Sequence, residues 1–328
     1  MKTIIALMIL GIVASSTPKN NPCDVKSNLY TEVNKTANEK ICFETVDSYD
    51  LDYIDKKNIT IYGNLSFPDK KKNKYNAIIL SHGSGGVRKY HNKYIELLND
   101  NGFAVFQIDH YMGRNIKYDK TFSKVSGITF MNDSYKALSL LKTHPKIDKV
   151  AYIGWSQGGV GPILSHFKSV TDFIEGGKFL FDASIAIYPY CGFTFHKATK
   201  TNNPLLILTG NADDLTPEKA CINIYNKFPE KITHISLDNA RHGYDNPFLY
   251  FGFTLDKAPS LNIISDDCTM TISEKGNIKT LSGNVVFGPK ESMRLLDECS
   301  SKGVLVKYNS DATNKTQADI IDFLNNSL

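Results

Sequence analysis

From Asn58 onward, short apolar runs alternate with longer stretches of helical spacing. "NITIYGNLSF" (58–67) switches between apolar and polar residues, the pattern of a half-buried strand. "YNAIIL" (75–80) is a continuous apolar run, as strands covered on both faces are. "HNKYIELLNDNG" (91–102) predicts a helix that ends at a glycine, and "FAVFQID" (103–109) the next strand. "FMNDSYKALSLLKTHP" (130–145) has helical spacing and stops at Pro145. "KVAYIG" (149–154) is another buried strand, with a helix expected after Gly158 as far as about Lys168. "ASIAIYP" and "PLLILTG" predict two more strands, separated by "YCGFTFHKATKTNN". "TPEKACINIYNKF" opens a helix with Thr216 as its expected N-cap and Pro217 in the first turn. "KITHISLDN" gives a further strand and "TQADIIDFLNNSL" a final helix.

Strands alternating with helices in this way predict an α/β fold, a mostly parallel central sheet with helices on both faces. The folded domain is expected over 46–328, after an N-terminal segment at 17–45. The stretch Phe251 to Leu281 is the least periodic, so an insertion on the domain is expected around 251–285. At the front, Lys2, the apolar run Ile4 to Val13 and the small residues Ala14-Ser15-Ser16 read as a secretory signal peptide over 1–16. That apolar run is too short to span a bilayer, and no second one is long enough. A secreted or periplasmic protein is the expectation.

Composition adds mostly exclusions. The chain of 328 residues is 41% hydrophobic and 22% charged, with a net charge of +4 and no strong clustering. Nothing in that argues for nucleic acid as a partner, and Lys70-Lys71-Lys72 reads as a solvated turn. Six cysteines suit an oxidising compartment. The sequence does not select among their pairings. Bridging of nearest neighbours is the expectation: Cys23–Cys42, Cys191–Cys221 and Cys268–Cys299. No C-x-x-C or H-E-x-x-H spacing points to a metal.

Candidate chemistry sits in four loops at the carboxyl ends of the predicted strands, where such sheets meet their ligands. Gly154-Trp155-Ser156-Gln157-Gly158 is a G-x-S-x-G between strand and helix. Gly154 and Gly158 would allow the sharp turn that lifts a nucleophilic hydroxyl above the sheet; alternatively Ser156 only caps the helix. "LSHGSGG" (80–86) is a glycine-rich loop whose N–H groups are free to face a developing oxyanion. The expected donors are Gln157 N–H and Ser84 N–H, with Gly83 or Gly85 as alternatives to Ser84. His82 reads as a loop-orienting residue. "LTGNADDLTP" (208–217) offers Asp213 as the carboxylate that orients a histidine, with Asp214 the alternative. "LDNARHGYD" (237–245) supplies His242. The order Ser156, Asp213, His242 is that of α/β-hydrolases.

By "LSHGSGG", "GWSQGG", "GNADDLTP…C" and "RHGYD" the chain resembles the dienelactone hydrolase family of α/β-hydrolases, in particular its exported, serine-containing relatives. The likeness runs from about Asn58 to Gly243 and includes the last helix. It implies the α/β-hydrolase fold, a triad at these positions and hydrolysis of a small-molecule ester or lactone, without metal or cofactor. The founding enzymes carry cysteine in the elbow and an acidic residue in the first loop. Here Ser156 and His82-Gly83 stand in those places, so their particular lactone does not carry over. Arg114 matches an arginine of the family; binding of an acidic group and a surface salt bridge are both open readings. Competing functions for the same triad are peptide hydrolysis and acyl transfer, or a hydrolase fold kept for binding alone. The loops 110–128, 171–182, 190–203 and 247–285 are expected to wall the pocket. Tyr188, Phe193 and Phe248 are its candidate lining, and Trp155 is expected to pack behind the elbow.

Overall fold

The computed structural model describes residues 22–23, 29–51, 57–174, 178–195, 203–260, 270–273, 278–280 and 288–328. The expected signal peptide and Cys268 lie outside them. Eight strands build the central sheet: β1 (Glu39–Asp47), β2 (Lys57–Ser66), β3 (Tyr75–Ser81), β4 (Ala104–Asp109), β5 (Ile147–Trp155), β6 (Ala183–Ile187), β8 (Leu205–Gly210) and β9 (Ile232–Leu237). Their order is β1-β2-β4-β3-β5-β6-β8-β9. β1 pairs antiparallel with β2, and β2 antiparallel with β4. Every later pairing in the sheet is parallel.

The apolar runs are buried because side chains leave a strand on alternate sides and both sides are covered. Ala77, Ile79, Phe106 and Tyr152 face one core, shared with α2 (Gly127–Leu141) and α3 (Val160–Ser165). Ile78, Leu80, Val105 and Ile153 face the other, shared with α1 (His91–Asp100) and the C-terminal helix. α2 starts before the periodic stretch begins, at a capping box in which Ser126 accepts from Thr129 N at 3.1 Å.

Several elements differ from the sequence expectation. β1 crosses the boundary at 46: its apolar residues Ile41, Cys42 and Phe43 bury on the sheet, a placement that only pairing with β2 creates. The helix after Gly158 is broken. α3 ends at Ser165, Phe167 is extended, and a single turn, α4 (Lys168–Thr171), follows. α5 (Glu218–Lys227) has Pro217 at its N-cap with no side-chain cap, so Thr216 is not the cap; its hydroxyl is used elsewhere.

The region expected as an insertion forms a small second layer. β10 (Phe253–Ser260) pairs antiparallel with β13 (Ser301–Val306), and α6 (Gly288–Cys299) lies between them in the chain. β11 (Met270–Ile272) pairs with β12 (Ile278–Thr280) and runs parallel to β7 (Phe193–Phe195), a strand inside what reads in sequence as a loop. The layer therefore extends past 285, through α6 and β13. α7 (Ser310–Ser327) closes the chain, capped by Asn309, which accepts from Asp311 N and Ala312 N at 3.1 Å each. Disulfides join Cys23 to Cys42 and Cys191 to Cys221, tying the N-terminal segment to β1 and the β6–β7 connection to α5.

Candidate active site

Ser156 follows the last residue of β5 and begins a 3-10 turn that leads into α3. Its φ is +54°, a left-handed value that costs a non-glycine residue free energy and here throws the hydroxyl out of the turn. The flanking glycines make this turn sterically possible. A Cβ on Gly154 would stand 2.1 Å from Gly158 O, and one on Gly158 would stand 2.3 Å from His82 O. No side chain fits at either position. Ser156 caps nothing; its Oγ lies 2.8 Å from His242 Nε2.

His242 sits in the loop after β9, and its Nδ1 lies 2.8 Å from Asp213 Oδ2. With the ring proton on Nδ1 facing the carboxylate, Nε2 is free to accept from the serine hydroxyl. Asp213 is in turn fixed by its own loop. Its Oδ1 accepts from Leu215 N at 2.8 Å and Thr216 N at 2.9 Å, and its Oδ2 lies 3.0 Å from Thr216 Oγ1. Thr216 Oγ1 also reaches Tyr188 O at 3.1 Å. Asp214 does not touch the histidine; it points outward to Arg241 at 2.8 Å. Ser156, Asp213 and His242 are all buried.

The glycine-rich loop after β3 lies against the serine. A Cβ on Gly83 would meet Ser156 Cβ at 3.1 Å, so the backbone of this loop approaches Ser156 closely. Ser84 is anchored through its carbonyl, which accepts from Asp119 N at 2.9 Å. The Gln157 side chain braces the facing wall. Its Nε2 donates to Val125 O at 2.7 Å and Phe122 O at 3.2 Å, and its Oε1 accepts from Tyr111 OH at 3.2 Å. His82 holds the loop from inside: its ring lies 2.7 Å from Gly83 O and accepts from His110 N at 3.2 Å. Burial, with His110 alongside, lowers its pKa to about 4, so it is neutral at physiological pH.

Beneath the elbow lies a group that the sequence reading missed. Asp245 is 3% exposed and accepts from Tyr188 OH at 2.7 Å and from Tyr94 OH and Trp155 Nε1 at 2.8 Å each. Burial raises its carboxyl pKa, and the three donors work against that rise. Asp245 thereby joins the residue before Ser156, the loop that carries His242 and Tyr188, whose ring packs edge-on against His242. Trp155 does pack behind the elbow, edge-on to Tyr94 and His91. "RHGYD" contains Asp245, but its partners lie up to 151 residues away, and no local signal marks them.

Arg114 takes neither role left open for it. Its side chain is 4% exposed, with Asp133 held at 2.8 and 3.0 Å, Asp47 at 2.6 Å and the carbonyl of His110 at 2.7 Å. This is a buried ion pair that clamps β4, α2 and β1 together.

A cavity of about 150 Å³ opens on Ser156. Its floor follows α3 through Val160 and Leu164; Phe193, Met270, Ile272, Ile278, Leu295 and Leu296 close it from the second layer. Among its described lining residues none carries a charge. Of the candidate lining residues, Phe193 is there. Tyr188 lies behind His242, and Phe248 is 75% exposed outside the cavity.

A mostly parallel sheet with a serine on a strained strand-to-helix turn, and its histidine and carboxylate on later strand ends, defines the α/β-hydrolase class. The chain belongs to the dienelactone hydrolase family, whose pattern matches residues 61–248. A comparison with curated proteins finds no match. Among solved structures, the dienelactone hydrolase-like promiscuous phosphotriesterase P91 from metagenomic libraries is 13% identical, with 88% of this chain and 98% of that one covered and a TM-score of 0.51. Est1E from Butyrivibrio proteoclasticus is 18% identical over 57% of this chain and 88% of that one, with a TM-score of 0.43. The Pyrococcus furiosus esterase Pf2001 is 15% identical over 63% and 85%, with a TM-score of 0.45. At such identities the likeness is one of fold.

Proposed function

We propose that this member of the family is an exported serine hydrolase that cleaves carboxylic esters or lactones through Ser156, His242 and Asp213. The observation that carries the reading is the unbroken line of contacts Asp213–His242–Ser156, at 2.8 Å for each step, ending on a serine held at positive φ. As Ser156 Oγ bonds to the substrate carbonyl carbon, its proton passes to His242 Nε2. The carbonyl electron pair moves onto oxygen, where the N–H groups of Gln157 and the Ser84 loop stabilise it. Collapse expels the alcohol oxygen, which takes the proton from Nε2 and leaves an ester on Ser156. Water then adds to that ester, giving its proton to His242, and the second collapse releases the acid and restores the hydroxyl. Asp213 fixes the tautomer of His242 and stabilises the imidazolium as it forms. The disulfides Cys23–Cys42 and Cys191–Cys221 support an oxidising compartment, and the apolar N-terminus supports export.

Ser156→Ala tests the assignment. Turnover of p-nitrophenyl butyrate and labelling by a fluorophosphonate probe are expected to disappear while the fold persists. Retained turnover in that variant overturns the assignment. A peptide amide and an acceptor alcohol in the same assay separate ester hydrolysis from peptidase and acyltransferase activity.

A further inference from the structure

We propose that, given hydrolysis at Ser156, the site selects neutral esters with an apolar acyl chain of medium length and rejects acyl chains that end in a carboxylate. The wall chemistry argues for the first part. Val160 and Leu164, four and eight residues beyond Ser156, both line the cavity, so its wall continues from the serine onto α3. Phe193, Ile272, Leu295 and Leu296 line the same cavity. Each methylene placed between these walls leaves water for apolar contact. This largely apolar wall beside Ser156 suits a linear chain on the reacting carbonyl.

Electrostatics argue for the second part. The described lining holds no lysine, arginine or histidine to face an anion. Arg114, the cation that a family likeness would offer to an acidic substrate, spends four hydrogen bonds on Asp133, Asp47 and the His110 carbonyl. It is absent from the cavity lining and 4% exposed. A carboxylate carried down this channel loses its hydration and meets no counter-charge among the described lining residues. Rejection comes from that missing partner rather than from a clash.

The test compares kcat/KM for p-nitrophenyl acetate, butyrate, hexanoate and octanoate with that for the p-nitrophenyl monoester of glutaric acid. Through hexanoate, a rise of about fourfold per added methylene is expected. The glutarate monoester, close to hexanoate in length, is expected to fall at least about 100-fold below it. Leu296→Lys puts a cation on a partly exposed part of the wall. It is expected to move the hexanoate-to-glutarate ratio at least about tenfold toward glutarate. Trp155 emission checks the fold of that variant, and the wild-type series decides alone if the variant does not fold. Acetate turned over faster than hexanoate, or glutarate within about threefold of hexanoate, overturns the proposal. Fluorophosphonate labelling of Ser156 keeps the two readings apart. Labelling without the preference overturns the substrate proposal alone, whereas folded protein that is not labelled overturns the hydrolytic reading and this proposal with it.

Discussion

Replacing Asp245 by alanine strips three buried donors of their acceptor at once. Tyr94 OH, Tyr188 OH and Trp155 Nε1 all converge on this carboxylate at 2.7–2.8 Å, and each of the three residues is at most 2% exposed. A buried donor left unpaired costs about 1–3 kcal/mol, so the gross loss is about 3–9 kcal/mol. Against this stands the relief from keeping a carboxylate out of water, several kcal/mol in practice. The raised pKa of Asp245 is the sign of that cost. A net destabilisation of about 3 kcal/mol is expected for Asp245→Ala. Tyr94→Phe removes one donor and leaves the carboxylate with two, and costs about 1–2 kcal/mol. In the Tyr94→Phe background, Asp245→Ala should cost less than in wild type by at least about 1 kcal/mol, because one orphaned donor is already gone. Urea unfolding followed by the emission of Trp155, the single tryptophan, measures all three variants. A loss below about 0.5 kcal/mol for Asp245→Ala, or strict additivity in the double variant, refutes the reasoning.

Acid should weaken the fold through its buried histidines. Burial lowers the pKa of His91 to about 3 and that of His82 to about 4, whereas the unfolded chain titrates near 6.5. Their contribution is complete above 6.5 and is lost as pH falls, by about 2 kcal/mol from each between pH 7 and pH 5. Asp50 works in the opposite sense, since burial pushes its carboxyl up to about 6 and protonation relieves it. His91→Asn should therefore lose about 2 kcal/mol less than wild type between those two pH values; equal losses by urea titration would contradict this. Gly158→Ala drives a Cβ to within 2.3 Å of the His82 carbonyl, so the elbow must shift. Hydrolysis of p-nitrophenyl butyrate is expected to fall at least about 100-fold, because a displacement of about 1 Å at a nucleophile costs that much. Wild-type rates in this variant would show that the tight elbow is not required.

The sequence alone determined the sheet from β2 onward and the candidate triad. Parallel strands bury both faces and therefore read as continuous apolar runs, and the turn itself needs Gly154, where a Cβ would stand 2.1 Å from Gly158 O. The loops bearing Ser156, Asp213 and His242 are each recognisable from the strand before them and the residues within them. What only the tertiary structure decided depends on groups distant in the chain. β1 is a strand because β2 lies beside it, and β7 because β11 does. Asp213 rather than Asp214 contacts His242 because their loop aims one carboxylate at His242 and the other at Arg241. Arg114 is withdrawn from the site because Asp133, nineteen residues on, is buried against it. Asp245 gathers donors from α1, β5 and the end of β6, and the cavity, uncharged among its described lining residues, lies where α3 meets the second layer. Periodicity and turn chemistry act over a few residues and can be read along the chain. Burial, counter-charge and pocket shape arise only when distant segments meet.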